Sequence, residues 1–185
     1  MRVIAGKARS MPLETIPGDA TRPTTDRIKE TLFNMIQPYI PGCRFLDLFA
    51  GSGAIGIEAL SRGADAAVFV EKNRRACACI RRNLAFTKLE ERGKLLEAEA
   101  VQALYALQNE EPFDIIFMDP PYASGSEWKV LEYLKDSRIC TEDTIVIIEA
   151  ALNTDYSKAG DYSFDITREK KYKTNKHIFL RKECI

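Results

Sequence analysis

This 185-residue chain has a single histidine, His177. A lone imidazole supplies neither a hydrolytic triad nor a metal cluster. The five cysteines, Cys43, Cys77, Cys79, Cys140 and Cys184, are odd in number and irregularly spaced. Cys77 and Cys79 lie two apart in an expected helix, so they point to different faces, which is poor zinc geometry. All five read as reduced structural thiols, and no metal is expected. Long apolar runs are missing too: none approaches the roughly 20 residues of a membrane span. Residues 1–7 lack the apolar centre of a signal peptide. The expectation is a cytoplasmic protein with no membrane partner. Repeats, low-complexity tracts and linkers are also missing.

What is present is a composition of 45% hydrophobic and 29% charged residues, the balance of an ordinary globular domain. The length suggests one domain over 1–185, with an arm at 1–20 and a core at 21–185. Net charge is zero, but the charge is unevenly spread. Lys72, Arg74, Arg75, Arg81, Arg82, Lys88, Arg92 and Lys94 form one basic stretch. Arg168, Lys170, Lys171, Lys173 and Lys176 form a second, and the arm and its surroundings add Arg2, Lys7, Arg9, Arg22, Arg27 and Lys29. Such runs are either solvated faces or surfaces that meet phosphates.

The arm reads as two short strands, 2–5 and 12–16, around a basic turn. A cluster of turn and N-cap residues follows at 21–26. Ile28, Leu32, Phe33 and Ile36 then recur at helical spacing until Pro38 and Pro41-Gly42 stop them. From residue 44 strands and helices alternate. Strands are expected at 44–49, 66–71, 94–98, 113–118 and 144–149, with helices at 54–62, 73–86, 100–107 and 127–134. The tail, 162–168 and 176–181, reads as an antiparallel pair. Alternation of this kind implies a mostly parallel α/β sheet, doubly wound, with helices on both faces. Ligands of such sheets bind beyond the carboxyl ends of the strands, so the loops after the first, second and fourth strands are where chemistry is expected.

The first loop contains Gly51-x-Gly53-x-x-Gly56, and Glu71 ends the next strand. Alone, that spacing is the dinucleotide fingerprint. Asp47, four residues before Gly51, argues otherwise, because a carboxylate there repels a pyrophosphate. It suits a ligand with an ammonium and a sulfonium charge, and S-adenosyl-L-methionine carries both, with a ribose diol for Glu71. The glycines let backbone approach the ligand. A dinucleotide, and with it an NAD-dependent oxidoreductase, is the alternative. Glu99 could accept a bond from an adenine amino group while the Ala100 amide meets the ring; the plain alternative is an exposed acid favoured at a helix start.

The fourth strand runs into Asp119-Pro120-Pro121-Tyr122. An exocyclic base amine is a poor nucleophile because its lone pair is delocalised into the ring. The Asp119 carboxylate and the Pro120 carbonyl can accept its two hydrogens and favour a pyramidal nitrogen, while Tyr122 stacks on the base. Positioning and electrostatics would then carry the reaction. The plain alternative is a proline-rich turn with Tyr122 as packing.

These segments, with Val70-Glu71-Lys72-Asn73, resemble the Rossmann-like class I amino-methyltransferases. The opening Met1-Arg2-Val3-Ile4-Ala5-Gly6 and the segment from Thr21-Arg22-Pro23-Thr24-Thr25-Asp26 to Thr31-Leu32-Phe33-Asn34 narrow this. They resemble the bacterial 16S rRNA guanine-N2 methyltransferases of the RsmD type, over nearly the whole chain. The resemblance implies methylation of the N2 amine of one guanine in 16S rRNA, in a small-subunit assembly particle. It implies that Asp47, Phe49, Gly51, Gly53, Glu71 and Lys72 hold the cofactor, and that Asp119, Pro120 and Tyr122 hold the target amine. Arg22, Thr24 and Arg27 would stand at the rim. The family is expected to carry aspartate where Glu99 stands. The arm, through Arg2, Lys7 and Arg9, could grip RNA phosphates, or simply cover the sheet edge. A DNA adenine-N6 methyltransferase and a nonenzymatic RNA-binding module are the rival readings; the lack of a separate target-recognition domain disfavours the first, and the intact Asp119–Tyr122 motif the second.

Overall fold

The computed structural model describes residues 1–16 and 25–183. Seven strands form one sheet: β1 Arg44–Leu48, β2 Ala66–Glu71, β3 Gly93–Glu97, β4 Ile115–Met118, β5 Ile145–Ala151, β6 Phe164–Lys171 and β7 Asn175–Lys182. Their order is β3-β2-β1-β4-β5-β7-β6. The first five run parallel, and β7 is antiparallel to both β5 and β6. The order reverses between β1 and β4, so a crevice opens at the carboxyl ends of those two strands.

Five helices cover the sheet: α1 Asp26–Ile36, α2 Ala54–Ser61, α3 Arg74–Thr87, α4 Ala100–Ala106 and α5 Ser126–Leu134. The period-2 pattern of the strands decides which helix meets which face. Phe45, Ala67, Phe69, Ile115, Phe117 and Ile147 join Leu32 and Phe33 of α1, Ile57 and Leu60 of α2, and Ile80 and Leu84 of α3. Their alternates Leu46, Val68, Val70, Ile116, Met118 and Ile148 join Leu104 of α4 and Leu131 of α5. Thr25 caps α1, its side chain accepting from Ile28 N.

The two strands expected in the arm reduce to a single bridge between Arg2 and Pro12. The reason lies in α2, where every residue is buried. The sheet covers one side of this apolar helix, and residues 1–16 cover the other. Glu58 of α2 accepts from Ile4 N at 2.8 Å and Ala5 N at 3.0 Å. Lys7 N donates to Ser61 O, and Ala8 N to Ser61 Oγ. The arm divides its backbone donors: Ile4, Ala5, Lys7 and Ala8 give theirs to α2, while Val3, Ser10 and Leu13 bond across the arm, and the ladder shrinks to one bridge.

Among the described residues no helix is long and apolar enough to cross a membrane. No group of three His, Cys, Asp or Glu side chains that could hold a metal ion occurs among them.

Candidate active site

A cavity of about 360 Å³ opens at the crevice, within the range of small-ligand sites. The loops after β1, β2, β3 and β4 all line it: Asp47, Phe49 and Gly51; Glu71 and Lys72; Glu99 and Ala100; Asp119. Eight residues separated by up to 72 positions in sequence thus meet in one place.

Asp47 lies at the floor, 1% exposed, with Oδ2 accepting from Gly56 N at 2.9 Å. Burial pushes its carboxyl up to about 7; the Gly56 bond opposes the shift and nearby Glu71 adds to it. Glu71 holds the glycine loop, accepting from Gly51 N at 2.9 Å through one oxygen and from Asn73 N at 2.8 Å through the other. Asn73 in turn caps α3, accepting from Arg75 N and Ala76 N. Phe49 takes a positive φ of 61°, a strained state for a bulky side chain and one that clusters at ligand-binding loops.

The three glycines do different things. A Cβ on Gly51 would meet no protein atom within 4 Å, and its φ of +55° is left-handed; the residue lines the cavity. Gly53 caps α2 and faces Ile80 and Phe69, and it does not line the cavity. Its neighbours Ser52 and Ala54 do line the cavity, so Gly53 stands directly behind the wall. Gly56 packs on Phe69, whose Cε1 would lie 2.3 Å from an added Cβ.

At the acceptor side Asp119 and Pro121 line the cavity. Burial, followed by Glu149 and Asp47, holds the Asp119 carboxyl well above the usual carboxylate range. Pro120 is buried behind the turn, and Tyr122 stands 53% exposed, outside the lining. Glu99 accepts from Val101 N at 2.9 Å and caps α4, so its carboxylate is engaged locally.

The expected RNA contacts are dispersed. Arg22 and Thr24 lie outside the described residues. Arg2 pairs with Asp26 at 3.4 Å, and Arg27 is exposed one residue further on. Lys7 and Arg9 sit at the arm's tip, beside Ser61 at the far end of α2. That end is roughly 12 Å from the helix start at the cavity. The structure does not bring these two to the site.

Several lining residues escaped the sequence reading. Met1, Thr15 and Ile16 wall the cavity from the arm. Asn83 of α3 braces them, taking Glu14 N on Oδ1 and donating from Nδ2 to Glu14 O and Ser52 O. Glu149 lies on β5 next to the Met118–Ile148 pair, and it meets buried His177 Nε2 at 3.2 Å. An acid ending the run Ile145-Val146-Ile147-Ile148 is the signal that could have found it.

A doubly wound sheet with an acid-floored glycine loop and an Asp-Pro-Pro-Tyr turn in one crevice is the arrangement of a Rossmann-like methyltransferase. The chain belongs to the family described as "Conserved hypothetical protein 95", whose model matches residues 1–181. YlbH of Bacillus subtilis is 41% identical over 150 residues, which cover 80% of this chain and 82% of that protein. Ribosomal RNA small subunit methyltransferase D of Escherichia coli is 36% identical over 152 residues, covering 81% and 74%. The solved structure of yhhF from Escherichia coli aligns with a TM-score of 0.84 and 32% identity, covering 100% of this chain and 99% of that one. The resemblance read from the motifs is borne out, as is the fold class.

Proposed function

We propose that the chain transfers a methyl group from S-adenosyl-L-methionine to the exocyclic N2 amine of one guanine in 16S rRNA. The substrate is an assembling small subunit, and the protein acts as a single cytoplasmic domain. The observation that carries this reading is that Asp119 opens into the same cavity as Asp47 and Glu71. The small-subunit methyltransferase named among the relatives supports rRNA as the acceptor.

The residues present fit the donor. Gly51 leaves open space beside its backbone. Asp47 and Glu71 offer carboxylates to a cationic amino acid and a ribose, and Phe49, Lys72 and Ala100 complete the walls. When bound, S-adenosyl-L-methionine supplies an electrophilic methyl group on a positively charged sulfur. Asp119 and the Pro120 carbonyl accept the two amine hydrogens, which localises the nitrogen lone pair. The ionised form of Asp119 is favoured by the positive charge of the bound donor, and in that form the carboxylate can take the proton that the amine must shed. Tyr122, on the outer side of the turn, offers a ring for the base to stack on.

The test is methyl transfer from radiolabelled donor to small-subunit particles and to duplex DNA. Label is expected on guanine N2 of 16S rRNA. Asp119→Ala should lose about 100-fold or more in turnover with donor affinity kept. Label appearing on DNA adenine alone, or undiminished turnover in that variant, would refute the reading.

A further inference from the structure

The second basic stretch finds its place through the strand register. Ala151 at the end of β5 pairs with Asn175 at the start of β7. The β6–β7 turn, residues 172–174, therefore projects from the same sheet end as the loops after β1, β2 and β4. β7 stands two strands from β4, and β6 three, which is roughly 10 and 14 Å at the usual spacing. Lys171 and Lys173 are exposed there, Arg168 is exposed just below, and Lys170 is half-buried.

The opposite sheet end carries both signs: Asp114, Glu142, Asp143 and Asp165 precede or open β4, β5 and β6 there, while Arg44 opens β1 and Arg181 and Lys182 end β7. At the turn cations crowd together, and Lys171 lies directly opposite Lys176. Like charges in that relation destabilise a strand pair. Glu169 serves both, at 3.2 and 3.6 Å. No described carboxylate forms an ion pair with Arg168, Lys170 or Lys173.

The turn is also anchored. Tyr172 N donates to Asn175 O, and the Tyr172 hydroxyl meets His177 Nδ1 at 3.0 Å. Glu149 holds His177 Nε2 at 3.2 Å and accepts from Asn175 Nδ2 at 2.6 Å. The lysines are thus tied through a buried network to the strand beside the catalytic turn.

We propose that the β6–β7 turn is a docking surface for RNA phosphates, with Arg168, Lys170, Lys171 and Lys173 as its cations. It holds the strand that flanks the target base. This rests on RNA being the acceptor. It moves the backbone grip from the arm's tip to the opposite flank of the active site. Edge-strand lysines also guard against aggregation, so the test must separate the two roles.

The full chain carrying K170Q, K171Q and K173Q together is compared with wild type for binding a labelled stem-loop RNA across about 50–200 mM salt. Three lost contacts should flatten the slope of log affinity against log salt by about 2–3, and weaken binding at least about ten-fold at the lower salt. Melting temperature and donor affinity should stay unchanged, and the K170R, K171R, K173R chain should keep the wild-type slope. An unchanged slope in the glutamine variant overturns the proposal. So does a glutamine variant that aggregates yet binds RNA normally, or a surface that prefers duplex DNA. Failure of the underlying reading looks different: wild type would then bind RNA with the expected slope yet transfer no methyl group to it.

Discussion

Two buried carboxylates near α2 have opposite fates. Glu58 lies in the middle of the helix and is fully enclosed, with four donors on its two oxygens: Ile4 N, Ala5 N, Lys29 Nζ at 3.2 Å and Arg62 Nε at 2.7 Å. Lys29 is itself driven below its ordinary value by burial, which Glu58 counters. Asp47, across the sheet contact, has one hydrogen bond, from Gly56 N, and its carboxyl is pushed up to about 7. A buried charge needs partners. Where the fold supplies them the acid is structural. Where it leaves the acid beside a cavity, there is room for a ligand to be the partner.

The largest break in this comparison is Glu58→Ala. It leaves Lys29 and Arg62 as uncompensated buried cations and frees two arm amides. Breaking a buried pair from one side costs about 3–5 kcal/mol. Urea unfolding should show that loss, with early protease cutting in residues 1–16. A loss under 1 kcal/mol, as for a surface ion pair, would mean that the arm is not held through Glu58.

Asp47→Asn should do the reverse. The folded value of about 7 stands above the ordinary 3.8, so the folded state binds this proton more tightly. Its stabilising contribution is therefore full below pH 3.8 and is lost as pH rises to about 7. Asparagine removes that dependence and keeps an acceptor for Gly56 N. At pH 8 the variant should be about 2–4 kcal/mol more stable than wild type and bind S-adenosyl-L-methionine far more weakly. In wild type, donor affinity should fall up to about ten-fold per pH unit below 7 as the acid protonates. Calorimetry with a flat pH profile would remove Asp47 from the donor site.

The glycines sharpen the same contrast on a smaller scale. Gly56→Ala drives a Cβ to 2.3 Å from Phe69 and shifts the amide that Asp47 depends on. Overpacking of this sort costs about 1–3 kcal/mol. Gly51→Ala meets no protein atom and carries only the left-handed backbone cost of about 1 kcal/mol. It should nevertheless impair donor binding more than Gly56→Ala does at equal stability. Equal effects on binding would mean that the space beside Gly51 is not used.

The local signals were legible in the sequence. The expected strand at 66–71 coincides with β2, because a run of apolar residues between turn signals leaves little choice. That Asp47, Glu71 and Asp119 meet at one cavity was legible because they stand at strand ends, and strand ends in this topology share one crevice. What stayed hidden depends on partners far along the chain. Glu58 looks like an ordinary helix acid until Ile4 and Ala5, 53 and more positions away, bring their amides to it. Lys7 and Arg9 read as an RNA grip because nothing local says that the arm's tip follows α2 away from the cavity. His177, set aside as a solitary imidazole, gains meaning only when β7 is placed against β5 and Glu149 faces it.

Glu99 is the intermediate case, and its substitution carries the smallest expected effect. Its Oε2 accepts from Val101 N at 2.9 Å as the cap of α4, yet the residue also lines the cavity. It is exposed enough for water to solvate the second oxygen, so ligand loss here does not leave a buried charge. Glu99→Ala should cost about 1 kcal/mol as a lost cap. Glu99→Ser restores a capping oxygen but cannot reach across the cavity. If capping is the whole role, serine recovers both stability and donor affinity. If Glu99 also holds the adenine amino group, serine recovers stability alone and affinity stays several-fold weak, on the scale of one hydrogen bond. Unfolding and calorimetry on the two variants separate these outcomes, and the second would place Glu99 beside Asp47 among the acids that the fold leaves for a ligand.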